Sequence, residues 1–172
     1  MPALDDPQTR TAVDALRAGA LRWLGGGLVA VVLGVLLGAA VVRIVENGGE
    51  RPPFAGLMVV ALVFGGTCVA LAGLGALVRI RRWTAALART EWRLGVLRIA
   101  TPSVLQIEPL GFDELTDEPL RLQLMSTAIW RTRAVQAMNG ADVSYADVSP
   151  KEWLITADGA GTVYGARVPR GR

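Results

Sequence analysis

With 172 residues, 52% of them hydrophobic and only 19% charged, the chain is more apolar than ordinary soluble domains. It has no histidine and a single cysteine, Cys68. Cys/His zinc sites, Ser-His-Asp triads, Cys-His dyads and an internal disulfide are therefore excluded. No cofactor or metal is expected, and without a catalytic constellation the chain does not read as an enzyme. The net charge is +3, from seventeen Arg and one Lys against 15 acids. Abundant Arg, Gly and Ala imply GC-rich codons, which point to a bacterial source.

Residues 1–22 are polar, with Arg10, Arg17 and Arg22 balancing Asp5, Asp6 and Asp14. Residues 23–42, WLGGGLVAVVLGVLLGAAVV, carry no charge. A helix of that length is about 30 Å long and matches the hydrocarbon core of a bilayer. The apolar run exceeds the roughly 7–15 residues of a signal peptide and follows a long polar stretch. It is read as an uncleaved transmembrane helix. Residues 43–53, RIVENGGERPP, form a short external loop with turn-formers at Asn47, Gly48 and Gly49 and with Pro52-Pro53 at its end. Residues 54–78 are a second uncharged run, long enough to span with some tilt.

Neither run contains an ionisable residue other than Cys68, so a proton relay or ion pathway is not expected. Small residues recur at helical spacing instead. Gly27, Gly34 and Gly38 share one face of the first run, and Ala61 with Gly65 and Gly66 with Ala70 repeat the spacing in the second. Such residues let helices approach closely. The partner helix is the other span, another copy or another protein.

Residues 79–98 hold six arginines against Glu91, so the basic surplus of the chain lies beside the second run. On a helical period Ile80, Trp83, Leu87 and Leu94 share a face, which predicts a basic amphipathic juxtamembrane helix. Glu91 and Trp92 fit that pattern badly. Three roles are open to it: lying on anionic headgroups, packing on the C-terminal domain, or serving as a positive-inside flank. Arg79, Arg81, Arg82, Trp83, Arg89 and Arg93 are the candidate headgroup contacts. The arginine asymmetry predicts that both termini are cytoplasmic in a multi-pass protein of the plasma (inner) membrane.

Residues 99–172 read as a small cytoplasmic α+β domain. VLRIATPSVLQIE offers two β-prone runs around Thr101-Pro102. GFDELTDEP is an acidic loop, and residues 120–138 read as a helix ending at Asn139-Gly140. SPKEW resembles a capping box, but the following stretch reads better as a hairpin, with strands near 153–157 and 162–168 around Asp158-Gly159-Ala160-Gly161. The carboxylates Asp113, Glu114, Asp117 and Glu118 read as a solvated loop and do not match a calcium loop. The glycines near 159–161 match no phosphate-binding pattern. Tyr145, Tyr164, Ser149 and Lys151 have no evident catalytic partner.

The fold class expected is thus a membrane α-helical hairpin of two transmembrane helices followed by a small cytoplasmic α+β domain. The expected role is an inner-membrane scaffold or accessory subunit. Its partners would be anionic lipid headgroups and either a protein or further copies of the chain. No nucleic-acid partner is expected. The alternative is an oligomeric pore-forming or membrane-perturbing effector, a comparison that rests on layout alone.

Overall fold

A computed structural model describes residues 1–50, 53–101, 104–113, 117–126 and 129–169. Two long apolar helices, α1 (Pro7–Glu46) and α2 (Ala55–Leu87), precede a six-stranded β-barrel. The chain forms two compact units: Ala15–Arg81, and Met1–Asp14 together with Arg82–Arg172.

In the first unit, the hairpin, the helices meet through small residues. A Cβ added at Gly27 would lie 2.4 Å from the Ala70 nitrogen and 2.6 Å from the Gly66 carbonyl oxygen. One at Gly66 would lie 2.7 Å from the Gly27 oxygen, and one at Gly73 2.5 Å from the Leu24 nitrogen. These neighbours are backbone atoms, so only glycine permits the approach. At Gly34 the nearest atom to an added Cβ is a Val63 methyl at 2.8 Å, and at Gly38 a Val59 methyl at an ordinary 3.5 Å. The bulky side chains (Leu28, Val32, Leu36, Leu57, Phe64, Leu71) point outward and are exposed. Both helices are long and apolar enough to cross a membrane. At the end of α1 the amides of Asn47, Gly48 and Gly49 bond back to the carbonyls of Arg43, Val45 and Ile44. Gly48 takes the positive φ expected of a helix C-cap.

In the second unit, β1 (Arg93–Thr101), β2 (Val104–Pro109) and β3 (Leu120–Leu124) form one antiparallel meander. Among the described residues the next helix after α2 is the short α3 (Ile129–Gln136), which leads to a second meander of β4 (Asp142–Ser149), β5 (Glu152–Thr156) and β6 (Tyr164–Arg167). Antiparallel β1–β4 and β3–β6 pairings close the barrel in the order β1-β2-β3-β6-β5-β4. Period-2 alternation sends Leu97, Leu105, Ile107, Leu122, Val143 and Ile155 into the core, which Val135 of α3 joins. Leu154 and Ala146 lie outside that core cluster and are still fully buried, so the outer side of β4–β5 is covered as well.

Two expectations are corrected. The basic helix over 79–98 ends at Leu87, and Arg93 already opens β1. Gly95, Leu97 and Ile99 alternate inward as a strand requires, and the ill-fitting Glu91 and Trp92 lie in the break between helix and strand. The helix over 120–138 is a strand, β3, followed by the eight residues of α3. Leu120, Leu122 and Leu124 share a face at a period of two, as a strand requires, and not at a helical period. The two β-prone runs become β1 and β2, and the hairpin after Ser149 becomes β5–β6. Gly159 and Gly161 take positive φ in its turn, as glycine readily does. Arg51, Pro52, Pro102, Glu114, Arg170 and Arg172 lie outside the described residues.

Candidate functional site

The barrel unit carries the most specific polar cluster. Glu152 opens β5 just after the Ser149–Lys151 turn, and its side chain is largely buried. Its carboxylate accepts a hydrogen bond from the Trp83 indole Nε1 at 2.8 Å and one from the Arg82 guanidinium at 3.3 Å. The Trp83 ring lies over β6 at Gly165, where an added Cβ would be 2.8 Å from Trp83 Cζ2. Glycine at 165 therefore makes room for the indole.

A second cluster surrounds the start of α1. Asp6 caps that helix by accepting from the backbone amides of Thr9 and Gln8, at 3.0 and 3.3 Å. The Thr9 hydroxyl donates to Asp6 Oδ2 at 2.6 Å and accepts from the Trp92 indole at 3.0 Å. Gln8 donates its amide to the Ala157 carbonyl at 2.9 Å, and the Ala3 amide bonds to the Thr90 carbonyl. The Thr9 hydroxyl bond, joined by the two amides and opposed by burial, holds the Asp6 carboxyl below its ordinary pKa. The signal for this cluster was legible as Asp6-Pro7, a capping residue followed by proline at the first helical position.

The predicted headgroup residues separate into two groups. Arg79 and Arg81 are exposed on the hairpin unit. Arg82, Trp83, Arg89 and Arg93 belong to the barrel unit. Trp83 is 7% exposed and held by Glu152, so it is not a headgroup contact. Its burial matches instead the second role open to the basic segment, packing on the C-terminal domain. Arg93 lies 3.8 Å from Asp147, and Arg89 is exposed beyond the end of α2.

Among the predicted packing residues, Gly27, Gly34, Gly66 and Ala70 meet across the hairpin, with Gly38 in looser contact. Ala61 is exposed, and a Cβ at Gly65 would meet nothing within 4 Å, so these two lie off the seam. Gly73 was not anticipated, although it follows Gly66 by seven residues and so falls on the same helical face.

Compared with known proteins, the chain matches no family model, no curated protein and no solved structure.

The remaining candidates carry structure. Tyr145 and Tyr164 are buried in the barrel core. Asp113 and Asp117 tie their own loop together through the Asp117 amide and carboxylate. Among the described residues no group of three or more His, Cys, Asp or Glu is placed to hold a metal ion. What the described surfaces offer is contact: a close-packed helix seam, an exposed apolar hairpin and a barrel to which both helix ends contribute.

Proposed function

We propose that the chain is an integral inner-membrane scaffold or accessory subunit. The hairpin anchors it, both termini face the cytoplasm, and the barrel contacts a protein partner. One observation carries the membrane part of the reading. Only 6% of the most apolar stretch of α1 and 11% of that of α2 is buried within the protein. A core helix of a soluble protein would be mostly covered, and an apolar surface this large is not stable in water. Hydrocarbon is the solvent that fits it. The orientation rests on the arginines, which concentrate at the end of the hairpin away from the connector. The scaffold role rests on what the barrel unit offers. Its interior is filled by side chains, and its polar clusters fasten helix ends to strands.

Reporter fusions at residues 8, 48 and 172 test the topology. Cytoplasmic signals at 8 and 172 with an exported signal at 48 are expected; the reverse pattern refutes the orientation. Gentle detergent extraction of a tagged copy, followed by identification of co-purifying proteins, tests the scaffold role. A chain that leaves the membrane fraction in salt or carbonate without detergent would refute the membrane reading itself.

A further inference from the structure

The hairpin carries a collar of exposed arginines at one end, and its register shows how deep each one lies. Gly73 of α2 packs between Ala20 and Leu24 of α1, so Arg22 is level with Gly73, inside the apolar stretch of the other helix. Counting along the helices from that level at 1.5 Å per residue, Arg17 lies about 7.5 Å, Arg79 about 9 Å and Arg81 about 12 Å toward the charged end. All four side chains are exposed, and among the described residues none has a carboxylate partner. Trp23, 61% exposed, stands beside the deepest of them.

The directions of the two helices bring these groups together. Side chains on an α-helix lean toward its own N-terminus. On α1 that is the charged end, so Arg22 leans outward from the apolar stretch. On the antiparallel α2 it is the opposite end, so Arg79 and Arg81 lean inward. The spread of about 12 Å in backbone level is thereby narrowed toward a single layer. At the other end of the hairpin Arg43 is followed three residues later by Glu46, so no comparable surplus exists there.

We infer that Arg17, Arg22, Arg79 and Arg81 bind the phosphate groups of anionic phospholipids in one leaflet. This deepens the proposed membrane reading and rests on it. A lipid surface is the occupant that fits, because the exposed arginines gather at one end of an apolar surface, with the exposed Trp23 indole next to Arg22. Long basic side chains rooted in such a surface reach the phosphate layer while their stems stay in hydrocarbon. Guanidinium binds phosphate by paired hydrogen bonds as well as by charge.

The test uses the full chain in nanodiscs of phosphatidylcholine alone or with added phosphatidylglycerol, and reads the lipid retained per protein. Retention of phosphatidylglycerol should exceed that of phosphatidylcholine by about five-fold for each arginine engaged, and should fall in high salt. Arg22→Gln combined with Arg79→Gln and Arg81→Gln should remove most of the preference, whereas Arg133→Gln on α3 should not alter it. Equal retention of the two lipids by the natural chain overturns the inference, whether or not the variants insert. So does a preference undiminished in the triple variant. Stabilisation by inorganic phosphate in neutral nanodiscs, equal to that by phosphatidylglycerol, overturns the lipid assignment. A chain that does not enter nanodiscs at all contradicts the membrane reading, whereas one that inserts without lipid preference contradicts only the collar.

Discussion

The hairpin and the barrel bury opposite chemistry. In the barrel, Leu97, Ile107, Leu122 and Ile155 point inward and arginines such as Arg98 and Arg121 point out. In the hairpin Gly27, Gly34, Gly66 and Gly73 face the seam, with Val59 and Val63 methyls against two of its glycines, while large side chains such as Leu28, Leu36, Leu57 and Phe64 point out. The same apolar side chain therefore does different work in each region. In the barrel it is withdrawn from water and stabilises the fold. In the hairpin it faces the surroundings, and helix association depends on how closely two backbones approach.

The largest expected effect sharpens that contrast. Leu97→Ala and Ile107→Ala, at fully buried positions, should each destabilise the barrel by about 2–5 kcal/mol. Leu36→Ala, at a residue 60% exposed on α1, should leave barrel unfolding unchanged. Denaturant unfolding of the detergent-solubilised chain, followed by tryptophan fluorescence, measures both. Equal losses from the two kinds of substitution would mean that the hairpin also has a conventional core.

Glycine gives the next largest effect. Gly27→Leu places its side chain against the Ala70 backbone and should push the helices apart, at a cost of about 1–3 kcal/mol or more. Gly65→Leu, at a position open for at least 4 Å, should be tolerated. Thermal aggregation in detergent or protease accessibility of the connector compares them. If Gly65→Leu proves as damaging as Gly27→Leu, the outer face of α2 is itself packed, most simply by a second copy.

How much of this was legible in the sequence follows from the same contrast. The long uncharged runs declare the two helices, because length and the absence of charge need no tertiary context. The small residues show which side chains allow close approach, but Gly65 and Gly66 are adjacent and only the fold decides which faces the seam. The barrel was harder to read. Leu94 and Leu97 satisfy a helical spacing, while Gly95, Leu97 and Ile99 satisfy a strand, and the choice falls to pairing with β2 and β4, partners distant in sequence. For Trp83 the residue type suited a membrane interface, yet an acceptor 69 residues away takes its N–H. Nothing local to Trp83 announces Glu152.

Trp83 supplies a third, smaller effect. Trp83→Phe keeps most of the packing over Gly165 and removes the hydrogen bond to a largely buried carboxylate. It should cost about 1–2 kcal/mol of barrel stability. Arg82→Gln removes only the charged partner on the solvent side of the same carboxylate and should cost less than about 1 kcal/mol. A larger loss from Arg82→Gln than from Trp83→Phe would reverse this ranking and make the ion pair the principal fastening.

An effect smaller than that of Trp83→Phe concerns Asp6, and it adds a pH signature. Its cap joins the first turn of α1 to the barrel unit through the relay from Trp92 to Thr9 to Asp6. Asp6→Ala should cost about 1 kcal/mol, the usual value of an N-cap. The Asp6 carboxyl titrates below its ordinary value of 3.8, chiefly because the Thr9 hydroxyl donates to the charged form. A depressed folded-state pKa stabilises the fold above the unfolded-state pKa, and that stabilisation disappears as pH falls through the folded-state value. The contribution is therefore complete at neutral pH and begins to fall only near pH 4 and below. Asp6→Asn keeps an acceptor for the Thr9 and Gln8 amides but cannot ionise. At pH 7 it should lie between the natural chain and Asp6→Ala, and its difference from the natural chain should shrink as the pH is lowered toward 3. Comparing unfolding midpoints of the three proteins at pH 7 and pH 3 decides the point. A difference between Asp6→Asn and the natural chain that stays constant or grows at low pH would mean that the cap acts through shape alone, with no part played by the charge.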